Sequence, residues 1–192
     1  MRTQLSPRLI QELPLTPGQQ ALWMLQQLFP ESGIYNTHYA WDVPDPIDID
    51  IFKKTLAVVT ERHPPLRTLY SIDGNGLPCQ RIYDFLHPLF EEILIPDTET
   101  TNLDEILDGH LHRVFHLDKE PPMRWILFRR TNAPNVMAFF HHHICVDLWS
   151  FMILMNDIEF IYSELSKINK DPIFLPQNTF TFSDFVFEQN NF

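Results

Sequence analysis

The chain has 192 residues, of which 44% are hydrophobic, so it can bury a sizeable core in one large domain or two small ones. Its formal net charge of -11 argues against a nucleic-acid partner, because a phosphate-binding surface needs clustered lysine and arginine. The first residues do not resemble a signal peptide, and no apolar run approaches the length of a membrane span. Cys79 and Cys145 lack metal-ligand spacing and are typical of reduced thiols. We therefore expect a cytoplasmic globular protein without a membrane partner.

Helices and strands alternate through the first half of the chain. Residues 1–14 are polar and irregular, which predicts a leader running over the surface. A helix is predicted to follow, with Thr16 as the N-cap, Pro17 as its first residue and Gln19 at the capping-box position. The further predicted elements are a strand over 35–43, a helix over 48–63, strands over 66–72, 77–83 and 90–95, and a helix over 103–115.

The second half is predicted to contain two apolar strands, over 123–130 and 136–142, and then a helix over 148–167. The first half of that helix is apolar almost all round, which predicts that it is buried. The mixture of elements predicts an α/β fold of the α+β two-layer kind, in which helices pack on a mixed β-sheet. Residues 171–192 are rich in phenylalanine and proline, and 184–188 look like the start of a further element.

Three consecutive histidines, His141 to His143, mark the candidate functional site. They follow a wholly apolar run and precede Asp147, so a buried strand is predicted to end here before a helix begins. Imidazole suits the removal of a proton from a nucleophile, because its ordinary pKa lies nearest neutral pH. On a strand His141 and His143 would share one face and His142 the other. Each could also be a satisfied core histidine, and a metal site is the weakest alternative because no third ligand has a familiar spacing.

Three stretches of the chain resemble motifs of one protein family. Residues 15–25, with Gln19 or Gln20 followed by a Leu-Trp pair, look like its opening helix motif. Residues 62–70 match the pattern Arg-His-x-x-Leu-Arg-Thr-x-Phe/Tyr, and residues 142–150 match His-His-x-x-x-Asp-Gly-Trp-Ser. In this order and spacing they are similar to the N-terminal half of a nonribosomal peptide synthetase condensation domain. That family shares the fold of chloramphenicol acetyltransferase, a pseudo-dimer of two lobes. The resemblance implies that residues 15–170 form the N-terminal lobe and that 171–192 cross toward a missing C-terminal lobe.

The resemblance implies a reaction and a role for each residue. Condensation domains join an acyl or peptidyl thioester to an aminoacyl amine, both carried on phosphopantetheine arms of carrier protein domains, with no cofactor bound directly. His143 would be the catalytic histidine that orients or deprotonates the amine, and His142 would support the turn. Asp147 would be the family's structural aspartate, which pairs with an arginine. Arg62 and Arg67 would be structural residues near the site, in ion pairs that hold the fold.

The sequence departs from the family at one motif position and in its length. Leu148 replaces the motif glycine, and its side chain would narrow the tunnel beside His143. Leu148, Trp149 and Ser150 are the tunnel-lining candidates; Trp149 is also expected in the core and Ser150 near the helix cap. The family domain is about twice as long as this chain, so we expect the fragment to fold but not to catalyse condensation alone. An exposed lobe face would also favour self-association.

Two rival functions remain open from the sequence. The first is a non-catalytic, condensation-like docking module, for which Leu148 would be the mark. The second is a free-standing acyltransferase of the same superfamily that uses coenzyme A or another carrier. Loss of activity on replacing His143 in a two-lobed protein would exclude the first, and neighbouring carrier and adenylation domains would argue against the second.

Overall fold

The computed structural model describes residues 6–43, 46–96, 102–167 and 180–191. Their helices and strands, in chain order, are β1 (Leu9–Pro14), α1 (Pro17–Leu28), β2 (Asn36–Val43), α2 (Ile49–Arg62), β3 (Thr68–Ile72), β4 (Pro78–Tyr83), β5 (Leu89–Ile95), α3 (Leu103–Leu111), β6 (Met123–Arg130), β7 (Asn135–His142), α4 (Leu148–Ser166) and α5 (Phe182–Asn190). A short 3₁₀ helix, Pro64–Arg67, joins α2 to β3.

The strands form two sheets. The larger has the order β2-β7-β6-β5, in which β7 is antiparallel to both β2 and β6 while β5 and β6 are parallel. The smaller is antiparallel with the order β1-β4-β3. The predicted mixed sheet with helices packed on it is therefore confirmed.

Both faces of the larger sheet are covered by apolar side chains, because β6 and β7 alternate between two clusters. Trp125 and Phe139 face α2 and α4, whereas Ile126 and Phe140 face α1, α3 and the smaller sheet. All four of these side chains are at most 1% exposed. Apolar side chains thus pack on both faces of the larger sheet, and β7, the strand that ends at the histidines, is buried along its whole length.

The predicted start of α1 is confirmed in detail. The hydroxyl of Thr16 accepts a hydrogen bond from the backbone N–H of Gln19, and the Gln19 side chain accepts one from the N–H of Thr16. This reciprocal capping box satisfies two N–H groups that a helix start would otherwise leave unpaired. At the start of α2 the Asp48 side chain accepts one hydrogen bond, from the N–H of Ile51, without a reciprocal bond.

Several predictions about segment structure are wrong. The leader predicted for 1–14 contains β1, which pairs with β4, and the helix predicted to reach residue 115 ends at Leu111. The strand predicted from residue 66 begins at Thr68, after the 3₁₀ helix. The predicted crossover over 171–192 lies partly outside the described residues; within it, α5 packs on β1 through Val186.

Helix α4 is not buried in its first half, contrary to the prediction. Phe151 and Leu154 face the core, but Trp149 is 77% exposed and Met152 and Ile153 also face solvent. Trp149 therefore does not pack in the core. Within the described ranges, no helix combines the length and the apolar composition that a membrane crossing requires.

Candidate active site

The candidate site is the connection between β7 and α4. His142 is the last residue of β7, opposite Asn36 of β2, and residues 143–146 turn the chain toward α4. The N–H of His143 donates to the carbonyl of Tyr35 at 2.8 Å, so the sheet pairing continues one residue past the strand end. The predicted strand-to-helix junction is therefore present, and two rigid elements fix both ends of the turn.

His141 is a core residue. Its side chain is buried and stacks against the rings of Phe139 and Tyr39, and its Nε2 lies 2.9 Å from the hydroxyl of Thr37. Burial lowers the pKa of His141 to about 4, so the ring is neutral at physiological pH. The predicted alternation of faces places His141 on the α4 side of the sheet, but His143 lies beyond the strand, where alternation no longer applies.

His142 forms hydrogen bonds with the backbone of the turn and with α1, while its role in the family's reaction stays a prediction. Its Nδ1 accepts a hydrogen bond of 3.1 Å from the N–H of Ile144, so the proton must lie on Nε2, 3.3 Å from the side-chain oxygen of Gln26. Burial lowers the pKa of His142 to about 4, with a smaller contribution from His143. A neutral ring with both nitrogens bonded holds the backbone in place and is not available for proton transfer.

His143 differs from its two neighbours because its ring is exposed to solvent. Its Nδ1 lies 3.0 Å from the carbonyl oxygen of Val146, which can only accept a hydrogen bond, so Nδ1 carries the proton. In the neutral ring Nε2 then holds the lone pair, and it has no bonding partner among the described residues. In its neutral form the ring that the turn holds therefore has the tautomer that a general base requires, with Nε2 unbonded among the described residues.

Asp147 is the N-cap of α4. Its carboxylate accepts a 2.7 Å hydrogen bond from the N–H of Ser150. Burial alone would raise the pKa of Asp147, but hydrogen bonds from Ser150 and the nearby His143 outweigh it and lower the pKa. In the described part of the chain no arginine pairs with this carboxylate, so the arginine partner implied by the family stays a prediction.

Arg62 and Arg67 do not enter the histidine turn. Arg62 donates from Nε to Asp157 of α4 at 2.8 Å, and His63 bonds the same carboxylate oxygen at 2.7 Å. Arg67 donates to the carbonyls of Glu61 and Tyr83, at the junction of α2 with β4. Both arginines join elements of the fold, but among the described residues only Arg62 does so through an ion pair, and their role near the site stays a prediction.

The tunnel-lining candidates lie at the exposed start of α4. Leu148 is 63% exposed, and Ser150 is also exposed. No described residue other than glycine has a positive φ, so leucine occupies the motif glycine position without backbone strain. Whether Leu148, Trp149 and Ser150 line a tunnel stays a prediction.

Cys145 lies in the turn but has the character of a structural thiol. Its sulfur contacts the carbonyls of Pro122 and His142, and burial raises the pKa of the thiol. Across the described residues, no group of three or more histidine, cysteine, aspartate or glutamate side chains is arranged to hold a metal ion.

The cavities of the molecule do not by themselves identify the site. A cavity of about 570 Å³ opens between β2, α2 and α4, but its walls contain none of the three histidines. A smaller one, of about 120 Å³, adjoins the turn through Cys145, Val146 and Ser150. We therefore assign the site by the chemistry of its side chains.

Sequence reasoning missed two residues that bond the turn directly from distant elements. The Gln19 side chain donates to the carbonyl oxygen of Ile144 at 3.2 Å, and the hydroxyl of Tyr70 lies 3.4 Å from the same oxygen. Both residues belong to the quoted motifs, so all three motifs meet at this turn. The only indication of these contacts in the sequence was that both residues lie within the motifs. Contacts between residues 125 and 74 positions apart leave no local sequence pattern.

Because His141 and His142 are buried, we predict that the free energy of unfolding decreases in acid. Between about pH 6.5 and 4 the unfolded chain binds protons at these rings and the folded chain does not, so the free energy of unfolding falls as the pH is lowered. We expect a loss of about 2 kcal/mol per histidine, allowing for relaxation of the surrounding side chains. Urea denaturation at several pH values measures it.

A matched pair of variants separates this effect from the titration of carboxylates. His142→Asn keeps an acceptor for the N–H of Ile144 and should flatten the pH dependence of the unfolding free energy, whereas His87→Asn, at an exposed position, should not. An unchanged slope in His142→Asn would show that His142 is not a buried neutral ring.

Comparison with known proteins agrees with the motifs. The family model described as "Condensation domain" matches residues 10–192. A linear gramicidin synthase of Brevibacillus parabrevis is 32% identical over 160 residues, covering 81% of this chain and 2% of the relative. Nonribosomal peptide synthetase TES of Alternaria alternata is 31% identical over 173 residues, covering 88% of this chain and 3% of the relative.

Solved structures show the same fold. The first condensation domain of the calcium-dependent antibiotic synthetase, in complex with a substrate analogue, superposes with a TM-score of 0.77 at 21% identity, covering 95% of this chain and 44% of that one. The condensation domain of the Monacolin K polyketide synthase MokA gives a TM-score of 0.79 at 18% identity, covering 95% of this chain and 39% of that one.

Together the two layers of helices, the mixed sheet and the histidine turn at its edge define a lobe of the condensation type. The chain belongs to the condensation domain family, and the resemblance predicted from its motifs is confirmed. It spans a few per cent of the synthetases it matches and less than half of the condensation-domain structures quoted above.

Proposed function

We propose that this chain supplies the catalytic half of an enzyme that forms an amide bond between two carrier-bound substrates. The donor would be an acyl or peptidyl thioester and the acceptor an aminoacyl amine, each on the phosphopantetheine arm of a carrier protein domain. The observation that carries the proposal is the state of His143, an exposed imidazole whose Nδ1–H is anchored on the Val146 carbonyl and whose Nε2 is open.

The reaction assigns each proton and bond. The acceptor nitrogen attacks the thioester carbonyl, and Nε2 of His143 takes a proton from that nitrogen as the C–N bond forms. Collapse of the tetrahedral intermediate breaks the C–S bond, and the proton passes to the thiolate that leaves. His143 ends neutral, and the chain needs no bound cofactor for this sequence.

The remaining turn residues support His143 without touching substrate. His142 holds the backbone of Ile144, and Asp147 fixes the start of α4. Asp147 also interacts with His143 through its charge, and this interaction contributes to the lowered pKa of the Asp147 carboxyl. Arg62 and Arg67 contribute by fixing α2 against α4 and β4.

A second lobe of the same domain would cover the exposed side of the turn. The apolar side chains at the start of α4, namely Leu148, Trp149, Met152 and Ile153, are exposed here and would be buried by such a lobe. Without it, the open face would leave the reacting groups in water and would favour self-association. For this reason the chain alone is proposed to be inactive.

The alternative of a non-catalytic docking module draws on Leu148, which replaces the motif glycine. Leucine there leaves the backbone unstrained and the His143 geometry intact, and this favours the catalytic proposal. A free-standing acyltransferase with another thioester donor would use the same imidazole and differs only in its carrier.

The test is an assay for the amide product. A protein in which this chain is followed by the rest of its domain is mixed with a donor carrier and an acceptor carrier, both loaded, and the acceptor arm is analysed by mass spectrometry. We expect the mass of the acceptor arm to increase by that of the donor acyl group less one hydrogen. A folded protein that gives no product with several donor and acceptor pairs would favour the docking module, and product with an acyl-coenzyme A donor alone would favour the acyltransferase.

A further inference from the structure

We propose that Gln19 is a positioning residue for His143, acting through the carbonyl of Ile144, with Tyr70 as a second and weaker donor to the same oxygen. The inference rests on the proposed function for its catalytic meaning, but the geometry that carries it is independent of any reaction. It assigns to the opening helix a role in holding the site together.

The amide of Gln19 has a fixed orientation. Its oxygen accepts from the N–H of Thr16 at 3.0 Å and from the Gln80 side chain at 3.1 Å, while its nitrogen donates to the carbonyl of Ile144 at 3.2 Å. A backbone N–H can only donate and a carbonyl can only accept, so a flipped amide would lose both bonds. Gln80 is itself fully buried and donates to the carbonyl of Pro14 at 2.8 Å.

The Ile144 carbonyl that accepts from Gln19 lies, in the chain, between the His143 ring and the Val146 carbonyl that bonds this ring. Ile144 follows His143 directly, and two residues later the carbonyl of Val146 accepts the Nδ1–H of the ring. The side chain of Ile144 is buried in the cluster on the α1 face and that of Val146 in the cluster on the α4 face. The turn thus crosses from one layer to the other, and its shape sets where the Val146 carbonyl lies.

Two donors from separate elements restrain this turn from the α1 side. Gln19 reaches it from the first turn of α1, and Tyr70, which is fully buried, reaches it from β3. Because the Tyr70 contact is long at 3.4 Å, Gln19 provides the stronger restraint. Loss of the Gln19 donor would let the turn move and would weaken the bond that keeps the proton on Nδ1 of His143.

The capping box and the bond to the turn can be separated by one substitution. Gln19→Glu keeps the oxygen that accepts from the N–H of Thr16, so the helix start is preserved, but it removes the N–H that the Ile144 carbonyl needs. Gln20→Glu is the matched control, because Gln20 is the next residue of α1 and its amide donates to the carbonyl of Leu15, away from the turn. Tyr70→Phe removes only the hydroxyl.

The readout is the tautomer ratio of His143, measured by ¹⁵N NMR of the imidazole in the 192-residue chain above pH 8 and assigned by its absence in His143→Gln. We expect the Nδ1–H form to dominate in the wild type and in Gln20→Glu. Gln19→Glu should lower the ratio of Nδ1–H to Nε2–H about fivefold, as for the loss of one hydrogen bond, and Tyr70→Phe by less than about twofold.

An unchanged ratio in Gln19→Glu would overturn the inference. If Gln19→Glu does not fold, the same tautomer ratio is measured in Gln19→Asn, which keeps the amide but is shorter by one methylene. An unchanged ratio in that variant would then overturn the inference. In the two-lobed protein, Gln19→Glu should lower the turnover number of amide formation and leave the Michaelis constant unchanged. Failure to detect amide formation by the wild type would remove the proposed function but leave the tautomer result standing, so the two outcomes are distinguishable.

Discussion

Replacing His143 with alanine in a protein that contains the whole domain is expected to lower the rate of amide formation by about 10²- to 10⁴-fold, the usual contribution of a general base. The loss should lie in turnover and not in stability, because the ring is exposed and its removal opens no cavity in the core. The rate of product formation from saturating loaded carriers measures the effect, and the urea midpoint of the same variant measures folding.

His87→Ala is the control, since His87 is exposed and lies before β5, outside the turn. It should retain the wild-type rate. Equal rates for His143→Ala and the wild type would remove the base from the mechanism and leave positioning of the two carrier arms as the source of catalysis.

Replacing Asp157 with asparagine is expected to cost about 1.5–3 kcal/mol of unfolding free energy, the range for hydrogen bonds to charged groups, because this ion pair is half-buried. One oxygen of its carboxylate accepts from both Arg62 and His63, and all three side chains are at most 20% exposed. Burial lowers the pKa of His63, and Asp157 opposes that shift. The variant leaves the Arg62 guanidinium without this carboxylate at the contact between α2 and α4.

Glu159→Gln is the matched control on the same helix, because Glu159 is exposed and loses its charge in the same way. Its unfolding free energy should change by no more than about 0.5 kcal/mol. If both variants unfold at the same urea concentration, the Arg62–His63–Asp157 cluster does not stabilise the lobe, and the structural role given to Arg62 is wrong.

The elements that local chemistry determines were predictable from the sequence. The start of α1 depends on Thr16, Pro17 and Gln19, which are neighbours in the chain, and the structure places all three as predicted. The strands β6 and β7 are long apolar runs, as expected for strands that are buried on both faces of a sheet. Their positions could therefore be predicted from composition. The family could be assigned because three motifs each have a fixed spacing.

The misassigned segments depend on distant parts of the chain. β1 is mostly exposed and lacks an alternating pattern, and its partner β4 lies more than 60 residues away. The first half of α4 is apolar on all sides, which usually indicates a buried helix. In this chain Trp149 and Met152 face solvent, because no described element packs against that side.

The state of the site also required coordinates. The motif pattern identifies His143, but the sequence contains no sign that the Val146 carbonyl fixes its tautomer or that Gln19 bonds the following residue. Both contacts depend on the exact path of a four-residue turn. His141 and His142 are buried and His143 is exposed because β7 ends at His142. Three consecutive histidines in a sequence do not by themselves indicate which of them is exposed.

The account is tested most directly by treating the two-lobed protein with diethyl pyrocarbonate at pH 7 and following, in the same samples, the modification of each histidine by peptide mapping and the remaining rate of amide formation. We expect His143 to be modified while His141 and His142 stay protected, and the activity to fall in proportion to the fraction of His143 that has reacted. Full activity in a sample whose His143 is completely modified would contradict the assignment of the open imidazole nitrogen as the base.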